Sequence, residues 1–142
     1  MFKYTVCFIK NNNDILMLNR EKPPIMGVWN AVGGKIEKDE SPDEGALREV
    51  FEETGIIVDN YFSKGTVGWK SSNGELDGIY VYLYEVSNNL KFETPKKTRE
   101  GILDWKSIDW LLDPDNFGIA DKVSHHNKRR ESEYNQSILL FY

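Results

Sequence analysis

The pattern of apolar and polar positions predicts a chain built mostly from short strands. Residues 3–9 are rich in β-branched and aromatic side chains, residues 15–18 are apolar, and the polar turn at 11–14 joins them into a predicted β-hairpin. Further strands are predicted at 29–34, 56–58, 61–67, 79–86, 102–105 and 137–142. Strands that alternate with a few helices indicate an α/β sandwich rather than a helical bundle.

The strongest helix signal covers residues 41–54. Ser41 suits the N-cap, Pro42 suits the first helical position, and Glu44 has the spacing of a capping box. Gly55 is expected to end the helix, because glycine readily adopts the left-handed conformation that follows many helices. The sequence therefore predicts both ends of this helix.

The apolar side chains of this helix are expected to pack on the sheet, because they recur at helical spacing: Ala46, Leu47, Val50 and Phe51. Ser107 predicts the start of a second helix over 108–112, and a third is predicted at 117–127. The polar segment 94–101 and the Pro23-Pro24 pair are expected to be loops.

Length and composition indicate one globular domain spanning residues 1–142. Hydrophobic residues make up 39% and charged residues 29% of the 142 positions, which argues against a disordered chain. The single cysteine, Cys7, excludes an internal disulfide and a cysteine-rich zinc site. No apolar run reaches the length of a membrane span, and residues 1–10 are too polar for a secretory signal. We expect a cytoplasmic protein, a monomer or homodimer, with no membrane partner.

The net charge of −5 is concentrated in one segment. Residues 34–56 carry eight acidic and three basic side chains, and the charges of the remaining chain cancel. No basic field covers the protein, so long nucleic acid, including capped mRNA, is not an expected partner. Concentrated carboxylates indicate a site for hard cations, and the alternative is a solvated acidic helix.

Three glutamates of the predicted helix are close enough to repel one another. Glu49, Glu52 and Glu53 stand at i, i+3 and i+4, so their side chains are neighbours. A divalent cation such as Mg²⁺ or Mn²⁺ would neutralise them, because these ions prefer oxygen ligands. Arg48 lies within reach of Glu52 and is able to orient a carboxylate. Just before the helix, Gly33-Gly34-Lys35 offers a backbone carbonyl to a metal and a lysine to a phosphate.

The spacing of these residues resembles the motif of the Nudix hydrolase family. Every defined position of that motif is filled between residues 34 and 56, as Gly34-x5-Glu40-x7-Arg48-Glu49-Val50-x-Glu52-Glu53-x-Gly55-Ile56. The resemblance implies an α/β/α sandwich with a mixed β-sheet. It also implies a metal-dependent pyrophosphohydrolase that cleaves a nucleoside diphosphate linked to another moiety.

The resemblance implies a role for each matched residue. Glu49, Glu52 and Glu53 would hold Mg²⁺ or Mn²⁺ with the Gly33 carbonyl, and Arg48 would orient the glutamates. Glu100 lies in a segment that resembles the family's later Glu-Gly-x-x-x-Trp sequence, where the glutamate reaches the metal site. The general base remains open between Glu49, Glu53 and Glu100, and Asp104 is a weaker alternative to Glu100.

The segment 27–35 resembles the oxidised purine nucleoside triphosphatases of this family, which makes 8-oxo-dGTP the favoured substrate. The resemblance assigns Asn30 to the purine and Asp115 to a base-reading loop, although Asp113 stands where that branch has tryptophan. Lys35 and Arg20 are candidate phosphate ligands. The alternatives are a hydrolase of ADP-ribose, dinucleoside polyphosphates or other nucleoside diphosphate derivatives, and a non-catalytic nucleotide sensor.

Overall fold

The computed structural model describes residues 1–23, 26–86, 90 and 92–119. Within these ranges the chain forms seven strands and two helices. In chain order they are β1 (Tyr4–Asn11), β2 (Asp14–Arg20), β3 (Trp29–Lys35), α1 (Pro42–Thr54), β4 (Tyr61–Lys70), β5 (Leu76–Glu85), β6 (Lys96–Lys97), β7 (Gly101–Ser107) and α2 (Ile108–Leu112).

All seven strands belong to one mixed sheet with the order β4-β5-β1-β3-β2-β7-β6. Strands β1 and β5 are parallel, and the other neighbours are antiparallel. The predicted hairpin is confirmed, since Asn11 of β1 pairs with Asp14 of β2 and Asn12 takes a positive φ of 52° in the turn. Strand β3 lies in the middle of the sheet, between β1 and β2.

Each face of the sheet carries one helix and one apolar cluster. On the first face, Ala46 and Val50 of α1 pack against sheet residues that include Val32 of β3. On the second face, Leu111 of α2 packs against a cluster that includes Ala31 of β3. Neighbouring residues of β3 therefore face opposite helices, as strand alternation requires. The predicted α/β/α sandwich is confirmed.

Local hydrogen bonds and a glycine define the ends of α1, and two tyrosines attach its first turn to the sheet. The Ser41 Oγ accepts a hydrogen bond from the Glu44 backbone N–H at 3.1 Å, and Gly55 ends the helix with φ 77°, as predicted. The phenolic hydroxyls of Tyr61 and Tyr82 donate to the two carboxylate oxygens of Asp43 at 2.9 and 2.6 Å. Strands β4 and β5 are thereby hydrogen-bonded to the first turn of the helix.

The predicted apolar face of α1 is wrong at one end. Phe51 is 55% exposed, whereas Glu53 and Thr54 are buried with Ala46 and Val50. The helix is rotated so that a carboxylate rather than an aromatic ring faces the sheet. Apolarity alone therefore assigned the wrong side chain to the interior.

The strand predicted at 56–58 is also wrong, because this segment pairs with no described strand. Ile56 is buried in the apolar cluster on the α1 side of the sheet, which we call the α1-face cluster, and its N–H donates to Thr54 Oγ1. Ile57, in contrast, is 77% exposed. Ile56 and Val58 are apolar because they pack against the sheet, and not because the segment is one of its strands.

Four further predictions need correction or lie, in whole or in part, outside the described residues. The predicted loop at 94–101 contains β6, which pairs with β7. Residues 117–119 are not helical, and Ile119 forms a parallel bridge with Trp29. The rest of the predicted helix, 120–127, the predicted strand 137–142 and Pro24 fall outside the described ranges.

Candidate functional site

Strand β3 and helix α1 meet at a cleft of about 1020 Å³. This volume is at the upper end of the range for small-molecule sites. Gly33 and Gly34 line the cleft from the end of β3. Four carboxylates also line it, Glu49, Glu52 and Glu53 from α1 and Glu100 from the turn before β7. All the glutamates that the sequence predicted for the site therefore line the same cleft.

The two glycines of β3 allow close approach on both sides of the strand. A Cβ on Gly33 would lie 2.2 Å from the Thr5 backbone oxygen, so this position admits no side chain next to β1. A Cβ on Gly34 would lie 2.4 Å from the carboxyl carbon of Glu49. The Glu49 carboxylate is therefore seated directly against the strand backbone.

Arg48 is the centre of an ion-pair network beside the cleft. Its guanidinium donates to Glu49 Oε1 at 3.0 Å and to Glu52 Oε2 at 3.1 Å. It also donates to the Lys35 carbonyl oxygen at 2.9 Å, which ties the helix to the end of β3. Arg48 therefore contacts two of the three glutamates that it was predicted to orient.

Glu40 is the main partner of Arg48, and sequence reasoning gave it no role. Its carboxylate accepts from Arg48 Nε at 2.7 Å and from Nη2 at 2.9 Å, and also from the Glu37 backbone N–H at 2.9 Å. The Arg48 hydrogen bond lowers the pKa of Glu40 to about 2. Glu40 therefore remains charged and fixes the guanidinium, which in turn positions Glu49 and Glu52.

Glu53 is the most buried carboxylate of the cleft, at 8% exposure. Burial, followed by the nearby Glu49 charge, raises the pKa of Glu53 to about 8. Its Oε2 atom is buried and has no hydrogen-bond partner among the described residues. Burial also raises the pKa of Glu49, against the opposing effect of Arg48. An unpartnered buried carboxylate oxygen is costly unless a proton or a cation accompanies it.

Glu100 reaches the cleft from a turn that is fastened to β2. Its Oε2 lies 3.5 Å from Arg20 Nη2, and its backbone carbonyl accepts from the Glu21 N–H at 3.0 Å. Thr98 Oγ1 accepts from the backbone N–H groups of Glu100 and Gly101 at 3.2 and 3.3 Å. Glu100 is thus held opposite the glutamates of α1.

The donor chemistry of the cleft fits a divalent cation. Its oxygen ligands would be carboxylates and the Gly33 carbonyl, and Glu53 Oε2 is left without a partner inside the site. Within the described part of the chain, no group of three or more His, Cys, Asp or Glu side chains converges closely enough to hold an ion. Arg48 instead draws Glu49 and Glu52 toward itself.

Three residues predicted to bind substrate lie outside the lining of the cleft. Asn30 pairs with Leu18 across β3 and β2, and its Oδ1 accepts from the Ala31 N–H at 2.9 Å. Lys35 is exposed at the end of β3, and Asp115 is exposed in a turn after α2. Arg20, the fourth predicted residue, lines the cleft. Asp104 pairs with Lys106 at 3.4 Å and is not part of the lining.

Gly34→Ala should disable the site without unfolding the protein. The added methyl would displace the carboxylate of Glu49, which is the end of a flexible side chain. We expect at least about a tenfold fall in kcat/KM with a change in unfolding free energy below about 1 kcal/mol. The matched variant Gly33→Ala would meet the backbone of Thr5 and should instead cost about 2 kcal/mol or more. Unchanged activity in Gly34→Ala would contradict the placement of Glu49.

No helix among the described residues is long and apolar enough to cross a membrane.

A family model described as the NUDIX domain matches residues 1–128. The chain is 28% identical to the Nudix hydrolase YvcI of Bacillus subtilis (strain 168) over 124 residues, which cover 87% of this chain and 75% of that protein. It is 26% identical to the oxidized purine nucleoside triphosphate hydrolase of Mus musculus over 109 residues, which cover 76% of this chain and 67% of that protein.

Among solved structures, the MutT protein of Bacillus halodurans is 31% identical to this chain and superposes with a TM-score of 0.61. The superposition covers 79% of this chain and 72% of that protein. The superposition therefore extends well beyond the 23-residue motif.

Proposed function

The chain belongs to the NUDIX domain family and is a hydrolase of phosphoanhydride bonds in nucleotides. From this premise we propose that it is a Mg²⁺- or Mn²⁺-dependent enzyme and that its substrate is a purine nucleoside triphosphate. An oxidised purine such as 8-oxo-dGTP is the favoured base, and the products are a monophosphate and pyrophosphate. The observation that carries this proposal is the buried, unpartnered Glu53 oxygen in a cleft large enough for a nucleotide.

Two observations support the choice of a purine triphosphate. The segment 27–35 resembles the oxidised purine branch, and the mouse hydrolase of that name is similar over 109 residues. Asn30 lies opposite Leu18, whose side chain packs in the α1-face cluster, so Asn30 is on the same face of the sheet as the carboxylates. An amide offers both a donor and an acceptor to a purine edge.

We assign the cation to Glu49, Glu52, Glu53 and the Gly33 carbonyl. When bound, the cation neutralises phosphate oxygens and lowers the pKa of a water molecule. Arg48 keeps Glu49 and Glu52 oriented through hydrogen bonds of 3.0 and 3.1 Å. In the reaction, the water oxygen forms a bond to the α- or β-phosphorus, the P–O bond of the α–β bridge breaks, and the leaving pyrophosphate or nucleoside monophosphate takes the electron pair.

The proton of the attacking water needs a carboxylate that accepts it. Glu49, Glu53 and Glu100 are the candidates, because all three line the cleft. Glu100 is the most accessible of them, with 42% of its side chain exposed, against 15% for Glu49. We favour Glu100 as the base and Glu49, Glu52 and Glu53 as ligands.

Glu100→Gln should lower kcat by at least about tenfold, because the amide cannot accept the proton of water. The stability of the fold should change little, since the one described ion pair of this side chain, with Arg20, is 3.5 Å long. Glu93→Gln, an exposed carboxylate of the same segment, is the matched control and should retain full activity. Equal kinetics in the two variants would instead favour Glu49 or Glu53 of α1 as the general base.

A nucleotide panel tests the proposed function directly. The protein is incubated with Mg²⁺ and 8-oxo-dGTP, dGTP, dATP, dCTP, ADP-ribose or a dinucleoside tetraphosphate, and the products are identified by mass. We expect the fastest turnover for a purine triphosphate, with release of pyrophosphate. Faster cleavage of ADP-ribose or of the dinucleoside tetraphosphate would contradict the assignment of a purine triphosphate and identify that compound as the better substrate. Binding without cleavage of any member would indicate a nucleotide sensor.

A further inference from the structure

The wall of the cleft opposite α1 is basic, although the whole chain has a net charge of −5. We refer to this surface as the basic wall. It contains five cationic residues that line the cleft, namely Arg20, Lys22, Lys96, Lys97 and Arg99. Residues distant in sequence are brought together here, because β2 pairs with β7 and β7 pairs with β6.

Most of this positive charge has no carboxylate partner. Arg20 pairs with Glu100 at 3.5 Å and Lys97 pairs with Glu21 at 3.9 Å. Among the residues that the structure describes, Lys22, Lys96 and Arg99 form no ion pair. Lys96 lies over the Phe92 ring at 4.9 Å, which leaves its charge unneutralised. Like charges gathered on one wall repel one another, so this arrangement favours an anionic ligand.

Arg20 adds a second, independent observation. Its Nε atom is buried and has no hydrogen-bond partner in the described structure, although the side chain lines the cleft. A guanidinium has its donors in a fixed plane, which suits the oxygens of a phosphate group. A phosphate beside Arg20 would satisfy a donor that the protein itself leaves unpaired.

The backbone of the basic wall is held rigidly at its centre. The Thr98 N–H donates to the Gly101 carbonyl at 2.7 Å and closes the turn that carries Arg99. A Cβ on Gly101 would lie 1.9 Å from the Asn19 backbone oxygen, so this turn packs directly on the end of β2. The turn that carries Arg99 is therefore fixed against β2, whereas Lys96 and Lys97 lie on the edge strand β6.

We propose that the basic wall binds the terminal phosphate of a nucleoside polyphosphate and thereby selects substrates with at least three phosphates over sugar-linked diphosphates. This inference rests on the proposed function and specifies which groups of the chain choose the substrate. ATP and ADP-ribose share an adenosine diphosphate unit and differ in the third group, a charged phosphate or an uncharged ribose. Only the phosphate gains charge-assisted hydrogen bonds from the wall.

The test compares ATP with ADP-ribose in the double variant Lys22→Gln/Arg99→Gln. Both side chains are exposed and have no described ion pair, so their replacement should preserve the fold. We expect kcat/KM for ATP to fall by at least about tenfold, mainly through KM, while ADP-ribose changes less than about twofold. The control Lys3→Gln/Lys70→Gln removes two exposed cations elsewhere and should leave both substrates unchanged.

Equal losses for ATP and ADP-ribose, or no loss for ATP, would overturn the selectivity inference. If the wild-type protein cleaves neither ATP nor ADP-ribose, the nucleotide panel still decides the proposed function, and ligand binding decides the inference about the basic wall separately. Calorimetry in EDTA would then compare α,β-methylene-ATP with ADP-ribose. Tighter binding of the methylene analogue, lost in the double variant, supports the basic wall. Equal affinity for the two ligands in the wild-type protein overturns it.

Discussion

Glu53→Gln should remove nearly all hydrolysis and, at alkaline pH, make the metal-free protein more stable. Activity should fall by about 100-fold or more, because a neutral amide is a weaker ligand for a divalent cation than a carboxylate. Stability should rise because the substitution removes a buried charge that has no hydrogen-bond partner on Oε2. An increase in stability combined with a loss of function is typical of a site residue.

The pH dependence follows from the raised pKa of Glu53, which is about 8 compared with an ordinary value of 4.5. Between these two values the folded protein binds more protons than the unfolded chain, so the unfolding free energy of the wild type falls as pH rises. The variant lacks this group. The unfolding free energy of Glu53→Gln should therefore exceed that of the wild type by an amount that grows from about pH 4.5. Above about pH 8 this difference should reach its full value of roughly 2–5 kcal/mol.

Urea denaturation in EDTA at a series of pH values measures this difference. Glu44→Gln, an exposed glutamate in the first turn of the same helix, is the control and should follow the wild-type pH curve. Adding Mg²⁺ or Mn²⁺ at pH 8.5 should stabilise the wild type more than Glu53→Gln, because the cation takes the place of the proton. Identical pH curves for wild type and Glu53→Gln would refute the buried-charge interpretation.

Arg48→Lys should reduce activity by about 100-fold and lower the free energy of unfolding by about 2–4 kcal/mol. A lysine ammonium cannot reproduce the paired hydrogen bonds to Glu40, at 2.7 and 2.9 Å, while it also contacts Glu49 and Glu52. Glu49 and Glu52 would then lose the guanidinium that holds both of their carboxylates in place. Steady-state kinetics and urea denaturation measure the two effects.

A double-mutant cycle with Glu40→Gln separates this network from a general loss of charge. Because Glu40 and Arg48 are in direct contact, the combined variant should be less destabilised than the sum of the single changes. Stability that depends on the charged form of Glu40 is present above about pH 4.5 and is lost as pH falls toward its folded pKa of about 2. That acid-dependent loss should be smaller in Arg48→Lys. Strict additivity would contradict the network.

The ends of the helices were predictable because local chemistry specifies them. Ser41 and Ser107 cap α1 and α2 through hydrogen bonds within a few residues, and Gly55 ends α1. The strand order was not predictable from the local pattern, since β1 pairs in parallel with residues of β5 that lie 75 positions further along the chain. Phe51 was misplaced because hydrophobicity cannot show which face of a helix meets a catalytic cleft.

The site was predictable to the extent that its residues share one short motif. Glu49, Glu52 and Glu53 lie on one helix, so their spacing indicated their proximity. The partnership of Glu40 with Arg48 depends on how the segment before α1 folds, and helical spacing does not report it. The basic wall was missed because residues 20–22 and 96–99 meet only through the pairing of β2, β7 and β6.

The position of β3 has a consequence for how the cleft opens. Gly33 and Gly34 pair with Val6 and Thr5 in the middle of the sheet. We therefore expect the backbone beneath the cleft to exchange its amide hydrogens more slowly than the edge strands do. Strand β6 joins the edge of the sheet through two residue pairs. We therefore expect local opening to occur on the side of β6, so a substrate would enter past an edge that opens without unfolding the floor beneath it.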